Sequence, residues 1–256
     1  DILSGLVGSE MCIRDRGSAE PSFEAETLPL RAVSDDEIYR RFVDALLDHR
    51  LAPGTKLIED QLAQAFGVSR TRIRPVLARL AGEQLVTLTP NRGARVARPD
   101  AAEAREVFEA RRLIEPRLLE LFMEKSPTRC LADLTACIDA EEAARERGDR
   151  QSAIRLSGDF HLSIARATGH ETLARILSAL VSRTSLVLMA WGPPQHVPAA
   201  GCGCHAHRAL LDAMRLGARA QALNLMREHL DEIEGSLHFC DVSEKPVRLR
   251  ELFRPR

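Results

Sequence analysis

Residues 57–96, LIEDQLAQAFGVSRTRIRPVLARLAGEQLVTLTPNRGARV, decide how the rest of the chain is read. Leu62, Ala63 and Phe66 recur at helical spacing, so Glu59–Phe66 reads as a short helix with one apolar face. Gly67-Val68 supplies a tight turn, and Ser69 stands where a helix N-cap belongs. A second helix follows over about residues 70–82. Ile73, Val76, Leu77 and Leu80 form its inward stripe, while Arg70, Thr71, Arg74 and Arg79 face outward. Two helices across a short turn make a helix-turn-helix, whose second helix fits the major groove of DNA. Beyond it, residues 85–88 and 94–96 read as two short strands around the tip Pro90-Asn91-Arg92-Gly93. The stretch is predicted to be a winged helix-turn-helix.

Charge agrees with that reading. Between Ser69 and Arg98 seven arginines face one acid, Glu83, whereas residues 100–240 carry 17 basic and 20 acidic groups. The net charge of −1 therefore hides a local positive patch. Such a patch gains affinity for phosphates through counterion release, and arginine forks read guanine edges. The plainer alternative is a solvated basic face on an ordinary helical domain. The order helix, turn, helix, wing favours DNA.

The segments GTKLIEDQLA (54–63), GVSRTRIR (67–74), LARL (77–80) and RGARV (92–96) resemble the DNA-binding domain of the GntR family of bacterial transcription regulators. The resemblance implies DNA contact by Ser69, Arg70, Thr71 and Arg74 at the start of the recognition helix, and by Arg92 and Gly93 at the wing tip. Pro75 departs from the family, which more often has an acid there. A proline in a helix interior removes a backbone hydrogen bond, so a bent helix and an altered base preference are expected.

The chain's 256 residues suit one large or two ordinary domains, and 45% hydrophobic content suffices for a packed core. The six cysteines (Cys12, Cys130, Cys137, Cys202, Cys204, Cys240) show no CxxC pairing. Reduced thiols in a cytoplasmic protein are therefore expected. No apolar run reaches the ~18 residues of a membrane span. Residues 1–33 read as a disordered lead-in, of which 1–16 resemble translated sequencing-adapter sequence rather than a signal peptide. Residues 34–98 form the winged domain. Ser34 with Glu37 matches a capping box, opening a helix to about His49 whose Arg40 and Arg41 either reach phosphate or stay solvated.

Pro99-Asp100 marks a domain boundary. From there helical periodicity runs over about 101–125, 128–147, 150–168, 171–189, 205–216 and 218–239, followed by a tail at 241–256. The expected fold is mainly α, with the winged domain followed by an all-α antiparallel bundle of six or seven helices over 100–240.

FEARRLIE (108–115), FHL (160–162), HRALLDAM (207–214), Ala222 and MREHL (226–230) resemble the effector-binding FCD domain of the family's FadR branch. The resemblance implies one divalent metal held by an aspartate and three histidines, with a small carboxylate effector beside it. His161, His207 and His229 stand at the histidine positions, and three imidazoles suit zinc or nickel. The expected aspartate is Ser157. Asp159 lies on another face of its helix, which leaves Cys204 or Ser157 as candidate fourth ligands. Three buried histidines that contact each other or the effector without metal are the competing reading. Arg111 is expected near the effector carboxylate, or else paired with Glu115 one turn on. Trp191 walls the pocket or packs a helix end. Cys202 and Cys204 are read as loop thiols rather than a metal or redox pair.

Together these features predict a cytoplasmic, ligand-responsive repressor that is not an enzyme. It is expected to act as a homodimer on a palindromic DNA operator. Two alternatives from other classes are a metal-dependent enzyme centred on His161, His207 and His229, and a sequence-blind architectural DNA binder. The first lacks a matched general base or nucleophile and leaves the winged domain unexplained, and salt-sensitive but sequence-blind binding would be the sign of the second.

Overall fold

The computed structural model describes residues 33–125, 128–193 and 203–239. Residues 1–32, Cys202, Cys240 and the tail lie outside the described residues, as does the side chain of Cys204. Helix α1 (Asp35–Leu47) opens at Ser34, whose Oγ accepts from the Glu37 amide at 3.1 Å. The Glu37 carboxylate, expected as the second half of a capping box, instead lies 2.6 Å from Arg40. Next come β1 (Lys56–Leu57), α2 (Glu59–Phe66) and α3 (Arg70–Gly82), then β2 (Val86–Thr89) and β3 (Gly93–Val96). The turn between α2 and α3 needs Gly67, which takes a left-handed φ of +65°.

The wing is a three-stranded antiparallel sheet in the order β1-β3-β2. β3 pairs with β2 from Val86↔Val96 to Thr89↔Gly93, and with β1 at Lys56↔Arg95 and Leu57↔Ala94. Strand β1 went unrecognised in the sequence because two residues carry no period. Helix α3 runs unbroken through Pro75, whose exposed ring faces away from the buried stripe of Ile73, Val76, Leu77 and Leu80.

The remaining chain is helical: α4 (Ala101–Lys125), α5 (Thr128–Glu146), α6 (Arg150–Ala167), α7 (Glu171–Trp191), α8 (Gly203–Arg215) and α9 (Arg219–Gly235). At the start of α4 both halves of a capping box form. Asp100 Oδ1 accepts from the Ala102 and Glu103 amides, and Glu103 Oε2 accepts from the Asp100 amide, each at 2.8 Å. Helix α4 packs on α6, α7 and α9, and α5 and α8 close the bundle. Helix α7 is apolar and long enough for a membrane span, with a mean hydropathy of 1.5, which corrects the expectation that no such run exists. Its apolar residues serve as core instead. Leu177, Leu180, Val181, Leu186 and Val187 are all buried.

Helix α7 also joins the winged domain to the bundle. Leu186 lies within the winged domain's own core, beside Phe42, Leu46 and Leu51. Ser185 Oγ donates to the Leu46 carbonyl at 3.1 Å, and Arg155 of α6 reaches Asp48 at 2.6 Å and Asp44 at 3.3 Å.

Candidate functional site

The basic patch lies where the sequence places it, and its arginines divide into two groups. Arg72 and Arg79 tie α3 to α1. Arg72 binds Asp35 at 2.7 Å and the Val33 carbonyl at 2.7 Å. Arg79 binds Asp36 at 2.7 Å and lies 3.6 Å over the ring of Tyr39. Arg70 and Arg74 face the start of α2, paired with Asp60 and with Glu59 (2.9 Å). Their side chains are 61% and 65% exposed, against 36% for Arg72 and 48% for Arg79. Ser69 stands at the N-cap position but makes no capping bond there. Its Oγ is 2.7 Å from that of Thr71, so both hydroxyls lie together at the helix start. Arg92 is exposed at the wing tip, and Gly93 takes φ +83° there. Arg40 pairs with Glu37, and Arg41 lies over the Phe66 ring.

The second site is buried among five helices. His161 (α6), His207 (α8) and His229 (α9) turn their Nε2 atoms toward one another, at separations of 3.3, 3.0 and 3.2 Å. All three are at most 2% exposed. Phe160 stacks on His207 with ring centroids 4.3 Å apart and covers one side of the group. Burial, reinforced by the neighbouring His207 and His161, pushes the His229 pKa well below the usual range. Burial also lowers His161, with Glu115 opposing it. His161 and His229 are therefore held neutral, the form in which imidazole offers a lone pair.

The outward nitrogens meet carboxylates. His207 Nδ1 lies 2.8 Å from Glu141 of α5. His161 Nδ1 lies 2.5 Å from Oε2 of Glu115 on α4, in a close pair that lacks hydrogen-bond alignment. Arg111 Nε donates to Glu115 Oε1 at 2.5 Å, and Arg145 donates to Glu141 Oε1 at 2.8 Å. Burial pushes the Glu115 carboxyl up, but the Arg111 guanidinium and His161 outweigh it and bring its pKa down to about 2. Burial likewise raises Glu141, and His207 with Arg145 brings it below the usual carboxylate range. Two buried charges are thus compensated in place.

A metal would fit this donor set. Nitrogens bound to one ion at about 2.0–2.1 Å, with angles from octahedral to tetrahedral, stand about 2.9–3.4 Å apart, which brackets the observed spacings. With Nδ1 of His161 and His207 turned to carboxylates, their Nε2 atoms stand 3.3 Å apart inside the protein, where a cation would bridge them. Ser157, in the place of the expected aspartate, is half-buried on α6. Asp159 is turned toward Arg155, at 4.0 Å.

Arg111 does make the pair with Glu115 that its spacing suggested, and its Nη1 also lies 3.4 Å from Thr184 Oγ1. Trp191 packs the end of α7. Its Nε1 donates to the Pro99 carbonyl at 2.7 Å, and its ring lies against Phe239. Sequence reasoning missed Glu141, for which an Arg145 four residues on was the only local sign.

Residues 35–96 match the bacterial regulatory proteins of the gntR family, and residues 106–232 match the FCD domain. An uncharacterized HTH-type transcriptional regulator in an unstable DNA locus of Streptomyces ambofaciens is 29% identical over 233 residues, covering 83% of this chain and 92% of that one. The HTH-type transcriptional repressor GlaR of Escherichia coli K12 is 24% identical over 204 residues, covering 75% and 90%. Among solved structures, E. coli McbR/YncC has the same fold with a TM-score of 0.70 at 21% identity, covering 77% of this chain and 93% of that one.

Proposed function

The chain belongs to the gntR family of bacterial transcription regulators and carries an FCD effector-binding domain, and on that premise we propose that it is a repressor whose operator affinity is set by a small carboxylate bound beside a divalent metal. It is a regulator, not an enzyme. The observation that carries the effector site is the convergence of three buried imidazole Nε2 atoms from three helices. His161, His207 and His229 would hold zinc or nickel. A divalent ion bound only by neutral donors keeps coordination positions and positive charge for an anionic ligand. The terminal nitrogens of Arg111, whose Nε is engaged by Glu115, would meet that ligand's carboxylate. Cys204 and Ser157 remain the candidates for a further protein ligand.

On the DNA side, Ser69, Arg70, Thr71 and Arg74 are proposed to enter the major groove, with Arg92 and Gly93 of the wing on the backbone or minor groove. A palindromic operator calls for two recognition helices on a two-fold axis, hence a cytoplasmic homodimer. Leu113 of α4 is 74% exposed and Ile176 of the adjoining α7 is 41% exposed. Exposed Glu106 and Glu109 on α4 and Arg175 on α7 would pair with opposite charge across such an axis. The related GlaR of Escherichia coli is a transcriptional repressor.

The test is direct. An operator selected from random duplex DNA should bind the purified protein tightly, and Arg70→Ala with Arg74→Ala should abolish that preference while sparing the fold. Unchanged operator binding by the double variant sinks the assignment of α3 as the reading helix.

A further inference from the structure

The histidine centre has an outer layer that the resemblance does not supply. Glu115 and Glu141 come from α4 and α5, helices that contribute none of the three imidazoles. Each carboxylate has one oxygen on an arginine and the other on an imidazole Nδ1. One chain of contacts is Arg111–Glu115–His161, and the other is Arg145–Glu141–His207. Both carboxylates are buried, at 2% and 0% exposure. The His207–Glu141 contact is a hydrogen bond, and the His161–Glu115 contact is a close pair without hydrogen-bond alignment, whereas the buried Nδ1 of His229 has no carboxylate against it and no hydrogen bond.

A neutral imidazole carries one proton and can hold it on either nitrogen. A carboxylate at Nδ1 keeps the proton there, which turns the Nε2 lone pair to the other side and fixes the ring's orientation. Without that hold, a buried histidine beside two others would gain by moving its proton to Nε2 and donating to a neighbouring lone pair. The metal position would then be filled by a hydrogen bond. The arginines matter because an isolated buried carboxylate would take up a proton and stop accepting from Nδ1.

We propose that Glu115 and Glu141 are positioning residues of this centre, each steadied by an arginine and each presenting one imidazole Nε2 lone pair to a divalent cation. Arg111 and Arg145 act one step further out. The inference rests on the metal-binding reading of the three histidines. It adds two carboxylates that are not ligands and assigns Arg111 a role in holding Glu115.

Apo protein and its variants would be titrated with Zn2+ against a chromophoric competing chelator, with circular dichroism and the thermal midpoint of each apo form recorded alongside. Wild-type protein should bind about one Zn2+ per chain. Glu141→Gln should bind 10–100-fold more weakly with its apo midpoint held, and Glu141→Ala should bind more weakly still, because glutamine keeps an oxygen for Nδ1–H. Glu115→Gln should behave like Glu141→Gln, and Arg145→Gln, at the more exposed end of its chain of contacts, should give an intermediate loss. If the glutamine variants match wild-type affinity, the positioning role is overturned while the metal reading stands. Loss of affinity only in step with loss of apo stability also overturns it, because packing alone would then account for the carboxylates. If wild-type protein binds no Zn2+, the metal reading falls first and takes this inference with it.

Discussion

At the residue scale a strained point of the winged domain is His49, just beyond α1. It takes φ +52°, unusual for a residue with a Cβ, and its Nε2 is buried without a hydrogen-bond partner. Burial, with the Arg150 charge adding to it, pushes its pKa from 6.5 down to about 4. Between those values the unfolded chain binds a proton that the folded chain refuses, so stability falls as pH drops through that window. His161 and His229, also held neutral by burial, act in the same direction. The thermal midpoint of apo protein should therefore fall from pH 6.5 to 4, and His49→Asn, which does not titrate and tolerates a left-handed backbone, should lose less. Parallel pH profiles for parent and variant would exclude His49 as a contributor. Below that range Glu115 adds its own loss. Its folded pKa of about 2 against an ordinary 4.5 means that its contribution is complete above pH 4.5 and fades as pH falls toward 2. The Arg111–Glu115 pair was legible in the sequence because four residues is one helical turn. The Glu141–His207 pair was not, since 66 residues separate the partners and only the crossing of α5 and α8 brings them together.

At the element scale, α6 and α7 connect the two functional regions. Helix α6 carries His161 of the buried centre and Arg155, which grips Asp44 and Asp48 of the winged domain. A ligand that shifts α6 would thus act on α1, and through Arg72 and Arg79 on the seat of α3. A ligand changes DNA affinity only by its differential affinity for two arrangements, typically a 5–150-fold effect. Arg155→Ala should therefore leave Zn2+ binding intact but shrink the ratio of operator affinities measured with and without Zn2+ by fluorescence anisotropy. An unchanged ratio would show that the coupling runs elsewhere. Helix α7 contributes through packing. Leu186 is fully buried in the winged domain's core, so Leu186→Ala should cost about 2–5 kcal/mol in denaturant unfolding. A cost well under 1 kcal/mol would mean that the domain closes without α7.

At the scale of the whole molecule, that shared core predicts one cooperative unfolding transition, with calorimetric and van't Hoff enthalpies in agreement, despite two regions of unlike architecture. Two resolved transitions would contradict it. The proposed pairing of copies belongs to this scale as well. Light scattering should give twice the chain mass, and Leu113→Glu, replacing a 74%-exposed leucine, should shift the protein toward monomer without unfolding it. What the sequence determined by itself was everything set by local periodicity and turn chemistry. The bounds of α2 and α3, the β2 and β3 strands of the wing, the helical run after Pro99 and the basic face all follow from spacing over a few residues. Tertiary structure decided whether three distant histidines would share one point, that two buried glutamates stand behind them, and that Asp159 turns toward Arg155 instead. It also decided that a helix apolar enough for a membrane span is a core shared by both regions. The reason is physical. Hydrogen bonds and side-chain contacts within one turn of helix are fixed by residue spacing, whereas the meeting of α4, α5, α6, α8 and α9 depends on how every apolar face in the chain is buried at once.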